Sequence, residues 1–173
     1  MPDVFQHHFD NVEDYLHHRP PYLMVQKIEQ IHDESIETST HISGDEYFLI
    51  GHFPGAPVVP GAVMQEMTTQ SAGILLAARF NPMEEFNTHD PLFNEHALGV
   101  LIRVKWARFR GFARPGDTLH TYVELEEQLN GIFEFRARVK LNGKPIMNNS
   151  FQLANIPSVK LQNSEETSST ASG

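Results

Sequence analysis

The chain has 173 residues, 22 of them acidic and 13 basic, for a formal net charge of −9 at pH 7. That length suits one domain with a substantial core, and the acidic balance argues against nucleic acid as a partner. The sequence has no cysteine, which excludes disulfides and cysteine-ligated metals, and no apolar run approaches the roughly 18 residues of a membrane span.

The N-terminal stretch MPDVFQHHFDNVEDY has neither the basic start nor the apolar run of a secretory signal, so a cytoplasmic protein is expected. The pairs His7-His8 and His17-His18 are adjacent and do not share a helix face, and no carboxylate stands at a characteristic ligand spacing from them. Surface or capping roles fit them better than a metal site. Residues 24–31 (MVQKIEQI) and 35–42 (SIETSTHI) read as two strands around a short polar turn.

The segment GHFPGAPVVPGAVMQEMTTQSAG, from Gly51 to Gly73, is the most distinctive part of the chain. Pro54, Pro57 and Pro60 recur every third residue, which predicts a stiff extended arm with three amide donors removed. After Pro60 the pattern becomes helical, with Val63, Met67, Ile74, Leu75 and Ala78 spaced for one buried stripe, and a helix is predicted over 61–79. Its first turn, including the amide of Gly61, can hold a developing negative charge. Glu66 and Gln70 stand at i and i+4, and Gly73 and Ala77 continue their face. Two readings fit that face equally: an acid at the mouth of a groove lined by small residues, or a solvated surface pair. His52 beside Phe53 reads in isolation as a structural histidine; the frame of prolines and glycines around it suggests an imidazole that needs a fixed position.

Residues 81–95 (NPMEEFNTHDPLFNE) form a polar loop. Four strand candidates follow near 96–110, 117–129, 132–142 and 145–155, with hairpin dipeptides at Asn130-Gly131 and Asn142-Gly143. Strands, one long helix and then a meander give an α+β class in which a single antiparallel sheet wraps a central helix. The open sheet edges predict dimerisation. Residues 1–156 make one domain, and the polar tail from Pro157 to Gly173 is expected to be disordered. The Pro-x-x-Pro spacing of the arm resembles a peptide ligand of SH3-type domains, a role that its position between a strand end and a buried helix disfavours.

GHFPGAPVVPG followed by Glu66 and Gln70 resembles the signature of the 3-hydroxyacyl-acyl-carrier-protein dehydratases of the hotdog fold. The resemblance extends upstream, where LHHRPPYLMVQKI (Leu16 to Ile28) is similar to the family's L-P-H-R-Y-P-F-L-L-V-D-R-V, and downstream, where WARFRGFARPGDTL (Trp106 to Leu119) resembles K-A-R-F-R-R-P-V-V-P-G-D-Q-L. Three islands in the family's order cover roughly residues 16–155, a far more specific signal than a single motif. The departures are Gln26 in place of aspartate, and Gly111 and Phe112 in place of a basic residue and a proline; none removes a catalytic group.

The resemblance implies that His52 is the catalytic histidine and Glu66 the catalytic acid, contributed by different subunits of a homodimer that allows a trimer of dimers. It also implies that Gly61 polarises the thioester carbonyl and that Gln70 orients the acid. Phe53 and Gly73 complete the expected substrate-binding set, and His18-Arg19 would help to line the mouth. Glu rather than Asp at 66 resembles the FabZ-type branch, which dehydrates and does not usually isomerise. No cofactor or metal is implied. An acidic acyl carrier protein would dock on Arg103, Lys105, Arg108, Arg110 and Arg114, which put five of the 13 basic residues in one stretch; a salt-bridged, solvated strand accounts for the same stretch. A hotdog thioesterase with Glu66 activating water, and a non-catalytic acyl-binding protein, are the alternative functions.

Overall fold

The computed structural model describes residues 4–90 and 94–161. In chain order these form α1 (Val12–Tyr15), β1 (Lys27–Ile31), β2 (Ser35–His41), a 3-10 turn (Tyr47–Leu49), α2 (Gly61–Arg79), β3 (His96–Phe109), β4 (Thr118–Leu129), β5 (Ile132–Leu141), β6 (Lys144–Pro157) and a 3-10 turn (Ser158–Lys160). The six strands make one antiparallel sheet in the order β1-β2-β4-β5-β6-β3. Strand β3 leaves the end of α2 and joins the far side of the meander, so the sheet curls around the helix. This is the α+β arrangement expected from the sequence.

The meander is regular because its turns and its alternation agree. Asn130 and Gly131 adopt φ of 53° and 77°, and Asn142 and Gly143 adopt 50° and 77°, the double positive φ of the tight hairpin turns that match strand twist. Along β5, Phe133, Phe135, Ala137 and Val139 turn inward and are buried, while Arg136 and Arg138 turn to solvent.

Helix α2 is buried nearly all round, which corrects the single stripe expected from its periodicity. Val63, Met67, Ile74, Leu75 and Ala78 are buried, but so are Met64, Thr68, Thr69, Gln70, Ser71, Ala72, Gly73, Leu76 and Ala77. The reason is topological: the sheet curls around the helix, so most positions on it face protein. The small and hydroxyl residues that blur the period lie where backbones approach or find polar partners. The Thr38 and Ser71 hydroxyls bond at 2.8 Å, and Asn149 Nδ2 donates to Gln65 Oε1 and Thr68 Oγ1, both at 2.8 Å. One apolar cluster packs around the C-terminal half of α2 with Phe135, Phe151 and Leu153; a second packs around Met64 and Met67 with Leu119, Val139 and Met147.

The proline arm also differs from its expected form. Residues 51–56 run through turns, with Gly51, Phe53 and Gly55 at φ of 80°, 57° and 83°, and only 57–60 are free of turns before the helix. Backbone bonds inside the segment, His52 N to Leu49 O and Ala56 N to Phe53 O, fold it; three-residue proline spacing constrains φ at three positions and leaves the glycines between them free to turn. The loop after α2 is polar in composition but tightly held, with Asn81, Thr88 and Asn94 buried and the Arg19 guanidinium donating to Thr88 O at 3.1 Å. At the C-terminus, Ser158 Oγ donates to Asn94 O at 2.7 Å; the rest of the expected tail, 162–173, lies outside the described residues. No described helix is long and apolar enough to cross a membrane.

Candidate active site

Helix α2 begins where Pro60, itself extended, supplies a carbonyl that accepts from the amides of Val63 and Met64. Gly61 is the first helical residue, and its amide has no carbonyl one turn back to accept it within the helix. A Cβ at Gly61 would lie 2.9 Å from Cε1 of Phe109, so the glycine lets the Phe109 ring, at the end of β3, pack directly on the start of the helix.

One turn further on, the two readings of Glu66 separate. Gln70 is 1% exposed, and all its amide groups are committed. Its Oε1 accepts from Met24 N at 2.8 Å, and its Nε2 donates to Tyr22 O at 2.9 Å and to Glu66 Oε1 at 3.0 Å. A buried amide pinned to the chain on one side can offer its remaining N–H in one direction only. Gln70 therefore fixes the Glu66 carboxylate, which is 17% exposed, and the pair is not a solvated surface contact.

Glu66 faces a cavity of about 540 Å³, a size ordinary for small-molecule sites. Its walls come from the segment before β1 (Leu16, His18, Tyr22), from α2 (Thr69, Gly73) and from residues 96–101 of β3. Gly99 lets β3 cross α2 closely, since a Cβ built on it would sit 3.0 Å from Gly73 Cα.

His18 stacks on the Tyr22 ring with centroids 5.6 Å apart, and its Nε2 is 4.0 Å from Glu66 Oε1. Burial lowers the pKa of His18 despite the nearby Glu66 charge, which acts in the opposite sense, while Arg19 lowers it further. The imidazole is therefore neutral near pH 7, and the contact with Glu66 is not an ion pair. The Tyr22 phenol is raised, by burial first and then by the charge of Glu66 and a hydrogen bond to it. Sequence reasoning placed His18 at the mouth and missed Tyr22; an aromatic in an apolar run gives no sign that it lines the same cavity as an acid.

His52 lies elsewhere on the chain. Its Nδ1 is 2.7 Å from the carbonyl oxygen of Val58; a carbonyl only accepts, so Nδ1 carries the hydrogen and Nε2 keeps the lone pair of the neutral ring. The turns at 51–56 bring Val58 back to it, and this is the fixed position that the glycines and prolines foreshadowed. Phe53 packs edge-on to the imidazole at 4.5 Å and is 61% exposed. Within one chain, then, Glu66 and Gly73 line the cavity and Gln70 stands behind it, whereas His52, Phe53 and Gly61 are not among its lining residues.

The five basic residues of β3 and the following loop do not form one patch. Lys105 pairs with Glu134, and Arg114 stacks over the exposed Phe112 ring at 5.7 Å. Arg108 and Arg110 instead share a groove with Trp106, Arg136 and Arg138 on the side of the sheet away from α2, and Arg138 lies over the Tyr122 ring at 4.5 Å. Of the departures in sequence, Gln26 clips β2 by donating to His41 O at 3.0 Å and accepting from His41 N at 2.9 Å. Gly111 is required by contact, because a Cβ there would lie 2.8 Å from Ile146 Cγ2.

Residues 16–150 match the model of the FabA-like domain. Among curated proteins, the chain is 33% identical over 132 residues to the 3-hydroxyacyl-[acyl-carrier-protein] dehydratase FabZ of Dechloromonas aromatica, covering 76% of this chain and 85% of that one. It is 35% identical over 130 residues to the enzyme of the same name from Thioalkalivibrio sulfidiphilus, covering 75% and 83%. Among solved structures, the dehydratase heterocomplex ApeI:P of Xenorhabdus doucetiae superposes with a TM-score of 0.71 at 19% identity, over 89% of this chain and 96% of that one. A hypothetical thioesterase with coenzyme A from Streptococcus pneumoniae gives 0.56 at 12% identity, over 76% and 85%. These structural likenesses show a shared hotdog fold.

Proposed function

The chain belongs to the FabA-like family, and from that membership we propose that it dehydrates a 3-hydroxyacyl thioester, carried on acyl carrier protein, to the trans-2-enoyl thioester in acyl-chain biosynthesis. The observation that carries the reading is the Glu66 carboxylate, fixed by a fully committed Gln70 and facing a cavity of about 540 Å³ between α2 and β3.

Loss of water needs a base for the C2 proton, a donor for the oxygen of the growing enolate, and an acid for the departing hydroxyl group. His52 Nε2, left with its lone pair by the Val58 contact, takes the C2 proton. The Gly61 amide at the start of α2 stabilises the enolate oxygen. Glu66 gives its proton to the hydroxyl as the C3–O bond breaks, and the electron pair of the C2–H bond becomes the new double bond. Phe53 beside the imidazole and Gly73 at the cavity wall bound the acyl chain.

The base and the acid meet across a homodimer in this reading. Strand β3 is a sheet edge and exposes Leu101, Ile102, Val104, Trp106 and Phe109, the last 49% accessible. An apolar edge of this kind is a pairing surface that a chain covers with a second copy. His52 of the partner subunit would then reach the cavity that holds Glu66. Arg103, Lys105, Arg108, Arg110 and Arg114 are the proposed carrier-docking residues; Arg108 and Arg110, grouped with Arg136 and Arg138, are the best placed of them.

The test is conversion of a 3-hydroxyacyl carrier substrate followed by enoyl absorbance, with hydration of a crotonyl thioester as the reverse assay. His52→Ala and Glu66→Gln should fold as the parent does and lose at least about a hundredfold in rate. Near-parental rates in either variant would remove that residue from the mechanism. Release of free thiol without enoyl product would instead establish a hydrolase.

A further inference from the structure

Two contacts give the direction in which β3 crosses α2. The Phe109 ring, at the end of the strand, packs on Gly61 at the start of the helix, and Gly99 lies against Gly73 about three turns further along. Moving from Phe109 back toward His96 therefore carries the strand away from the N-terminus of α2. The Glu66 cavity follows the same course, lined by Glu66, Thr69 and Gly73 on the helix and by residues 96–101 on the strand. Glu66 and Gly73 are about 10 Å apart along the helix axis, and Gly99 and His96 about 10 Å apart along the strand.

At the His96 end stands a wall from another part of the chain. Ser158 and Leu161, from the C-terminal 3-10 turn and the residue after it, line the cavity beside Asn94 and His96. The turn is held in place by main-chain and side-chain bonds. Pro157 is the register partner of His96, Ser158 N donates to Glu95 O at 2.8 Å, Ser158 Oγ donates to Asn94 O at 2.7 Å, and Leu161 N donates to Ser158 O at 3.0 Å. The Ser158 hydroxyl is thus committed to the main chain, and Leu161, 57% exposed, adds an apolar side chain to the wall that holds Leu98 and Val100. The turn lies beyond residues 16–150, the part that matches the FabA-like domain, so the matched domain does not supply this wall.

We propose that Leu161 is a specificity-determining residue, closing the distal end of the cavity and setting the length of acyl chain that the site accepts. The inference rests on the dehydratase reading above. Glu66 acts on the hydroxyl group at C3, so the carbons beyond C3 need apolar room leading away from Glu66. The cavity offers that room along Gly73, Leu98 and Val100 to the turn. An alkyl chain that reaches Leu161 covers apolar surface otherwise left in water, which favours it. A longer chain meets a side chain whose backbone is tied to Asn94 and Glu95, and overpacking opposes it. A chain too short to reach the turn is indifferent to residue 161.

Two measurements on the full chain test the proposal. In the first, hydration of crotonyl, trans-2-octenoyl and trans-2-dodecenoyl thioesters is compared among the parent, Leu161→Trp, Leu161→Ala and Val159→Trp. Val159 is exposed on the same turn but is not a lining residue, so its variant adds the bulk outside the cavity. Leu161→Trp should move the chain-length cut-off down and Leu161→Ala should move it up. Each should change kcat/KM for the chains at the cut-off, relative to crotonyl, by at least about tenfold, with crotonyl rates and the Val159→Trp profile near parental. A cut-off unmoved in both Leu161 variants would overturn the assignment. So would an equal loss for short and long chains in Leu161→Trp, which would put residue 161 on the path of the carrier arm common to all substrates. The second measurement needs no turnover: saturated butyryl and dodecanoyl thioesters of pantetheine, which cannot be hydrated, are titrated calorimetrically into the parent and Leu161→Trp. The same chain-length preference in both proteins, or binding by neither, would overturn the wall even in an active dehydratase. An inactive parent whose preference changes in Leu161→Trp would overturn the reaction and leave the wall standing.

Discussion

Replacing Gly99 by alanine puts a methyl group where α2 and β3 have no room for one. Gly99 sits at φ +70°, and a Cβ there would lie 3.0 Å from Gly73 Cα and 3.5 Å from Leu153 Cδ1. The left-handed backbone costs an alanine about 1–2 kcal/mol. The overlap is with main chain of a buried helix, which cannot rotate away as a side-chain end would, and overpacking of this kind costs a further 1–3 kcal/mol or so. The sum is about 2–5 kcal/mol. Gly131 is the control, because it has φ +77° and nothing within 4 Å of the added Cβ, so Gly131→Ala meets only the backbone term of about 1–2 kcal/mol. For a chain of this size 1 kcal/mol moves Tm by about 2–4 °C. Calorimetry at one protomer concentration should therefore show Gly99→Ala falling by about 5–15 °C and clearly further than Gly131→Ala. Equal losses would refute the argument that helix and strand are in backbone contact beside the Glu66 cavity.

Mixing and co-refolding His52→Ala with Glu66→Gln tests the composite site: random dimers would regain about a quarter of the parental activity, because half are mixed and each mixed dimer restores one of its two sites. No recovery would place both residues in one subunit's site. Replacing Arg108 and Arg110 together by alanine should raise KM for the carrier-borne substrate and flatten its dependence on salt while leaving kcat for a small crotonyl thioester unchanged; an unaltered salt dependence would move docking elsewhere. The Lys105 bond lowers the pKa of Glu134, reinforced by Gln152. A depressed carboxylate contributes stability above its unfolded value, near 4.3, and loses it as pH falls through the folded value. Acid unfolding of Lys105→Ala should accordingly show a smaller stability loss below about pH 4.3 than the parent; identical acid limbs would show that the pair contributes nothing measurable.

Much of the fold was legible because local and global preferences coincide. The helix bounds fall at Gly61 and Arg79 as the sequence indicated, since Pro60 can precede a helix but not continue one, and the two Asn-Gly turns set the meander. The burial of α2 on all sides was not legible, because a wrapping sheet erases the period that marks an amphipathic helix. The turns at 51–56 escaped notice for a different reason. Phe53 takes a positive φ that its residue type does not advertise, in a turn closed by the bond from Ala56 N to Phe53 O.

By itself the sequence determined the elements, the family, and the residue types that acid and base chemistry require, because motif spacing and turn chemistry are local properties of the chain. It left Glu66 between a buried acid and a solvated surface residue. The tertiary structure decided that question, through a Gln70 pinned by Tyr22 and Met24 from another segment. It also dispersed the basic run of β3, pairing Lys105 with Glu134 and gathering Arg108 and Arg110 with two arginines of β5. Both outcomes depend on contacts between residues far apart along the chain, and such contacts leave no periodic trace in the order of the amino acids.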